Sequence, residues 1–186
     1  MIGKHVYLVS SEKQTRELGK KYSEEILSSL ARVKRGFARR PLASEIICLY
    51  GDLGNGKTTF VQGLAEGLGI KQRIISPTFT IVREYEMPVY SSSEGVPDGT
   101  PESRSSTDDS SRQARIINFY HIDLYRIQSE NDLKTIGIEE ILSDNSAIVA
   151  IEWAEKLGSL LPEKRWEARF DYIDENKRKI SLQKTS

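Results

Sequence analysis

Several things are scarce in this 186-residue chain. It has one cysteine, Cys48, which rules out an internal disulfide and a cysteine-based metal cluster. A single thiol inside an apolar run suits a small core residue in a reducing compartment. No apolar run approaches the ~20 residues of a membrane-spanning helix. The opening MIGKHVYLVSSEK has no hydrophobic stretch of the signal-peptide kind. A soluble, cytoplasmic protein with no membrane partner is therefore expected. Net charge is missing as well, since 27 Lys plus Arg balance 27 Asp plus Glu. That argues against a domain that holds nucleic acid chiefly through phosphate contacts. Lys34, Arg35, Arg39 and Arg40 form a local basic cluster, read either as a solvated connector after a helix or as a patch. There are no internal repeats, and the length suits one α/β domain over 1–186.

What is present starts with GDLGNGKTTF, Gly51 to Phe60, directly after the apolar run Ile46–Tyr50. Gly51, then Gly56, Lys57 and Thr58, match the spacing of a phosphate-binding loop. Glycines let several backbone N–H groups turn toward one anion, and the helix that follows adds its positive dipole end. Lys57 is placed to reach the β- and γ-phosphates as a ligand on the solvent side, and the Thr58 hydroxyl to take one position around Mg²⁺. The flanks agree: Ile46–Tyr50 reads as a buried strand and Lys57–Leu68 as a helix closed by Gly69, with Phe60, Leu64 and Leu68 on its core face.

Other elements follow from patterning. His5–Val9 reads as a strand, and Ser11 to Gln14 has capping-box spacing before a helix whose stripe is Leu18, Tyr22, Ile26, Leu30 and Val33. Gly36–Ser44 reads as a basic connector. Ile74–Phe79 is a turn into a strand at Thr80–Glu86. Residues 88–115 are rich in Ser, Pro, Gly and acids, with almost nothing to bury; that composition predicts a long mobile insertion, or a partner-binding loop. Ile116–Asp123 and Ala147–Glu152 are strands that each end in an acid, the second unbroken in its apolar run and so suited to a central parallel position. Ser129–Leu142 reads as helical with a break near Gly137, and Trp166–Ile173 with Arg178–Leu182 as a closing hairpin. The expected fold class is α/β: a P-loop NTPase fold, with a mixed, mostly parallel sheet flanked by helices.

A phosphate loop with Mg²⁺ usually takes an acid from the end of a neighbouring strand. Asp123 and Glu152 are the two candidates, at the strand ends where open α/β sheets bind ligands; the alternative for each is a surface carboxylate. His121 shares a strand face with Asp123 and is read as structural. Arg126 could face phosphate or sit in a surface ion pair. Thr78, in Ser76-Pro77-Thr78, could bond water, metal or phosphate, or do ordinary turn chemistry. Trp153 is either core or an aromatic wall beside the site. No Asn-Lys-x-Asp or Thr-Lys-x-Asp supports guanine selectivity, no LSGGQ-like stretch supports a transporter ATPase, and the chain is too short for a helicase or AAA core with its lid.

GDLGNGKTTF, SPTF at Ser76–Phe79, HIDLYR at His121–Arg126 and IEW at Ile151–Trp153, in that order, closely resemble the bacterial TsaE family, older name YjeE. The opening helix around Thr15, Leu18 and Gly19, and the segment Ile136–Leu142, are similar too, so the resemblance spans most of 5–183. It implies a small ATPase of tRNA threonylcarbamoyladenosine biosynthesis, slow when alone, with ATP as substrate and Mg²⁺ as cofactor. Its partners would be TsaD and TsaB, the first of which transfers the threonylcarbamoyl group to adenosine 37, with tRNA met only indirectly. On that resemblance Lys57, Asp123 and Glu152 are catalytic. Asp52, Leu53, Gly54, Asn55, Gly56, Lys57, Thr58 and Thr59 bind ATP, together with Glu12 and Thr15 from the first helix. Thr58, Asp123 and Glu152 serve the metal, and Ser76, Pro77, Thr78 and Phe79 form the switch. Three departures are visible: the long 88–115 stretch, the long connector Ala31–Ser44, and Ala154 where the family commonly has proline. Two other readings compete: a small-molecule kinase, for which the only long insertion offers scattered Arg104, Arg112 and Arg115 as a lid, and a nucleotide-dependent scaffold in which hydrolysis is incidental.

Overall fold

The structure, a computed structural model, describes residues 4–32, 44–90, 114–175 and 177–185. The basic cluster Lys34, Arg35, Arg39 and Arg40 and most of the expected insertion lie outside those residues.

Seven strands form one sheet: β1 (His5–Val9), β2 (Glu45–Tyr50), β3 (Val82–Tyr90), β4 (Ala114–Asp123), β5 (Ile148–Glu152), β6 (Trp166–Tyr172) and β7 (Arg178–Lys184), in the spatial order β1-β7-β6-β2-β5-β4-β3. The inner four, β6-β2-β5-β4, are mutually parallel, while the pairs β1–β7, β6–β7 and β3–β4 are antiparallel. This is a mixed sheet with a parallel centre. β2 and β5 are buried at every position, which is why both read as unbroken apolar runs rather than alternating ones.

Two helices, α1 (Glu12–Arg32) and α2 (Lys57–Gly67), pack on one face; α3 (Glu130–Thr135), α4 (Ile138–Ser143) and a 3-10 helix at Ala154–Leu160 cover the centre of the other. The first face holds Leu18, Tyr22 and Ile26 of the expected stripe against Phe60, Leu64 and Trp166. α1 and α2 approach closely because glycine stands at their crossing: a Cβ on Gly63 would lie 1.9 Å from the Arg16 carbonyl oxygen, and one on Gly19 2.2 Å from that of Phe60. The second face packs Leu133, Ile138 and Leu157 on Cys48, Val149 and Ile151.

Three boundaries of the β3–β4 hairpin differ from the sequence expectation. β3 starts at Val82, because Ile81 takes a positive φ of 66° and ends the turn before the strand. β3 runs on to Tyr90 and β4 begins at Ala114, so the ends of the 88–115 stretch pair as a ladder, Pro88 opposite Ile116 and Tyr90 opposite Ala114. Backbone pairing, which composition does not report, extends the hairpin there. The 3-10 helix after Trp153 was not expected at all. The break at Gly137 is where it was expected: φ is 68°, and the residue divides α3 from α4.

Candidate functional site

The loop between β2 and α2 takes its shape from its glycines. Gly51, Gly54 and Gly56 have φ of 134°, 80° and 92°, values that other residues adopt at a cost. Gly51 also has no room for a side chain, since a Cβ would lie 2.5 Å from the Phe170 carbonyl oxygen. The loop is tethered to β6 by Asn55, whose Nδ2 donates to that same oxygen at 3.2 Å.

A cavity of about 470 Å³ opens over this loop. It is lined by Leu53 through Thr59, by Glu12 and Thr15 of α1, by Ser76 and Thr78, and by Asp123 and Glu152. The structure therefore gathers most of the residues singled out from the sequence around one space. Asp52 and the switch positions Pro77 and Phe79 are not on its wall. Asp52 contributes through its backbone, its carbonyl accepting from Lys57 Nζ at 2.9 Å. Pro77 is buried, and Phe79 is 85% exposed with the Arg126 guanidinium 4.6 Å over its ring. Arg126 thus stacks on an aromatic side chain rather than reaching into the cavity.

Asp123 and Glu152 stand directly opposite each other in the β4–β5 register, at the carboxyl ends of parallel strands. Glu152 Oε1 accepts from the Thr58 hydroxyl at 2.8 Å, and His121 Nε2 lies 2.8 Å from the same oxygen. Asp123 uses both oxygens: Oδ2 accepts from the Thr78 hydroxyl at 2.6 Å, and Oδ1 from the Tyr125 backbone N–H at 3.0 Å. Ser76 and Thr78 share a hydrogen bond of 2.7 Å. The Ser-Pro-Thr turn is thereby tied to an acid of the site, which ordinary turn chemistry alone would not require.

Lys57 corrects an expectation. It is only 4% exposed, not a solvent-side ligand. Its Nζ donates to the carbonyls of Gly51 (2.5 Å) and Asp52 (2.9 Å) and sits 4.1 Å from the centre of the Trp153 ring. Burial pushes its ammonium below the ordinary lysine value, while Glu152 and Asp123 pull in the other direction. Trp153 is thus a wall of the cavity. It holds φ at 60°, a strained value for a non-glycine residue of the kind that clusters at functional sites. The segment behind it is latched by Lys156, whose Nζ donates to the backbone carbonyls of Tyr125 and Ile127, the latter at 2.8 Å.

Residues 9–92 and 107–180 match the family described as threonylcarbamoyl adenosine biosynthesis protein TsaE. The chain belongs to the TsaE family. Among its relatives, the Bacillus subtilis protein named tRNA threonylcarbamoyladenosine biosynthesis protein TsaE is 30% identical over 158 residues, 85% of this chain and 79% of that one. The Rickettsia prowazekii protein of the same name is 32% identical, covering 80% and 83%. The crystal structure of Bacillus subtilis YdiB superposes with a TM-score of 0.62 at 23% identity, over all of this chain and 88% of that one, a likeness of fold.

Several contributors to the site escaped sequence reasoning, Val9, Ser10 and Ser11 at the end of β1 among them. His121, for which the sequence suggests only a structural role, bonds to Glu152. Glu175 and Arg178, at the β6–β7 hairpin, also line the cavity. Nothing in the hairpin's sequence marks them; only the position of β7 beside β1 brings them there.

Whether these residues suit a divalent cation can be judged from their donors. Among the described residues no three His, Cys, Asp or Glu side chains form a metal-holding group. A hydroxyl and two carboxylates, Thr58, Glu152 and Asp123, beside a phosphate-binding loop suit Mg²⁺, which takes one or two carboxylates and fills its octahedron with phosphate oxygens and water. The donor set fits that ion and would be a poor cage for one held by protein alone. No helix among the described residues is long and apolar enough to cross a membrane.

Proposed function

We propose that this TsaE-family protein is a Mg²⁺-dependent ATPase of tRNA threonylcarbamoyladenosine formation, working with the TsaD–TsaB pair that modifies adenosine 37. The observation that carries the reading is the 2.8 Å bond from the Thr58 hydroxyl to Glu152 at the mouth of the glycine-rich loop. It supports the reading because a phosphate-bound cation beside such a loop takes a loop hydroxyl and a strand-end acid, and these two side chains touch.

In this reading the backbone N–H groups of Gly54–Thr59 cradle the phosphates and the α2 N-terminus faces their charge. Lys57 exchanges its loop carbonyls for phosphate oxygens, so its ammonium is already directed into the loop before the ligand arrives. Thr58 and Glu152 hold Mg²⁺, with Asp123 in the same cluster. When bound, the ion neutralises charge on the β- and γ-phosphates. Asp123, fixed on both oxygens by Thr78 and Tyr125, orients water near the γ-phosphate, and the Ser76–Phe79 turn registers the state of that phosphate through Thr78. Glu12 and Thr15 of α1, with Asp52, Leu53 and Asn55, complete the nucleotide site. The protein acts as one domain, with residues 91–113 inserted between β3 and β4.

The test is ATP hydrolysis by the purified protein, alone and with cognate TsaD and TsaB. Slow turnover that rises with the partners is expected. Turnover indifferent to them would leave the phosphate loop standing and detach it from tRNA modification.

A further inference from the structure

We propose that His121 is a positioning residue for Glu152: it pins one carboxylate oxygen so that the other stays free for the cation. This rests on the reading of Glu152 as a cation ligand given above. His121 is completely buried on β4, and the Glu152 side chain is 4% exposed on β5, with 2.8 Å between His121 Nε2 and Glu152 Oε1. A carboxylate oxygen accepts, so the shared proton belongs to Nε2. Thr58 Oγ1 donates to that same Oε1 from α2. Two donors from two different elements therefore converge on one oxygen of a side chain that would otherwise rotate about three torsions. Oε2 has no hydrogen-bond partner among the described residues.

The other ring nitrogen strengthens the point. His121 Nδ1 is buried with no hydrogen-bond partner. An imidazole with one nitrogen unpaired is an unfavourable way to fill a position between Arg83 and Ala150 that an aliphatic residue could fill. The bond to Glu152 is what the histidine provides that leucine could not. Asp123 shows the contrast: its two oxygens are engaged separately, Oδ2 by the Thr78 hydroxyl and Oδ1 by the Tyr125 backbone N–H. Glu152 depends on a neighbouring strand for its orientation.

The experiment compares ATP affinity in EDTA with that in Mg²⁺, by calorimetry on the full chain, for wild type, His121→Leu and His121→Gln. In His121→Leu the affinity gained on adding Mg²⁺ should shrink about tenfold, while affinity in EDTA stays within about twofold, as expected for a partner that orients a metal ligand. His121→Gln, which can present an amide donor near the Nε2 position, should recover most of the gain. An undiminished gain in folded His121→Leu overturns the inference, and so does a parallel loss of affinity in EDTA. Should His121→Leu fail to fold, ¹⁵N NMR of the wild-type imidazole decides: an exchange-protected proton on Nε2 and a bare Nδ1 are expected, and the opposite tautomer overturns the inference. A wild-type protein with no Mg²⁺-dependent gain would sink the cation reading itself, a different failure from a gain that survives loss of the histidine.

Discussion

Two buried glutamates sit at opposite ends of the parallel core. Glu45 begins β2 and Glu152 ends β5. Both are nearly inaccessible, at 6% and 3% exposure. Glu45 is saturated: Oε1 accepts from Ser29 and Lys184, and Oε2 from Trp166 Nε1 at 2.6 Å and Lys184 Nζ at 3.0 Å. It ties α1, β6 and β7 to the start of β2, and Lys184 lies 4.5 Å over the Trp166 ring. Glu152 has two donors on one oxygen and opens on a cavity. A buried carboxylate whose every lone pair is met by fixed partners fastens the fold. One left partly unmet beside a cavity is poised for a ligand. Burial alone does not separate the two roles; the accounting of partners does.

The sharpest way to break this comparison is Glu152→Ala. Turnover should fall on the order of 10³-fold, the several kcal/mol that a displaced catalytic cation represents, with ATP binding in EDTA retained. Steady-state hydrolysis beside calorimetry checks it, and unimpaired turnover would return Glu152 to a structural role.

Lys57→Ala or Lys57→Met should weaken ATP binding on the order of 10²-fold, since a buried cation on an anionic ligand is worth a few kcal/mol. The fold should not suffer. Burial lowers the Lys57 pKa, so the folded state disfavours the charged form, and the group's contribution to stability is poorest below its folded value and improves only as pH rises toward the ordinary 10.5. Thermal unfolding at pH 7 should show Lys57→Met no less stable than wild type.

At the closed end, Lys184→Met should cost about 2 kcal/mol of stability, the penalty of leaving a buried carboxylate short of its cation, discounted because Lys184 is partly exposed. ATP affinity should be unchanged, and a clear loss of affinity would blur the division between the two ends. Denaturant unfolding and calorimetry read the two quantities.

The smallest expected effect concerns Glu167 on β6. Burial works against its charge, yet hydrogen bonds from Gln183 and Arg165 and the charges of Arg165 and Arg169 hold its carboxyl below the ordinary 4.5. Its contribution to stability is complete above 4.5 and fades as pH falls through the lower folded value. The gap in melting temperature between wild type and Glu167→Gln should therefore narrow as pH drops below about 4.5. A gap constant across that range would show that the carboxylate does not titrate as its neighbours dictate.

Much of this site was legible because it is local in sequence. Gly51–Thr59 lie within one loop, and its geometry follows from glycine placement and a lysine at fixed spacing. Asp123 and Glu152 were legible because each ends an apolar run, and runs of that kind become parallel strands whose ends point one way. His121 was passed over because its meaning depends on Glu152, thirty-one residues away and on another strand. The burial of Lys57 was missed for the same reason: the ring that covers it belongs to Trp153, which takes its φ of 60° where a 3-10 helix begins.

The sequence alone determined the seven strands, the helices other than the 3-10 helix after Trp153, the phosphate loop and its two strand-end acids, because periodicity and glycine spacing act over a few residues. Only the tertiary structure decided which glutamate is fastened and which is open, that β7 returns beside β1 to close the cavity, and that Thr58, His121 and Glu152 share one oxygen. Those are matters of register between distant strands, and register is set by the packing of the whole sheet rather than by any one segment.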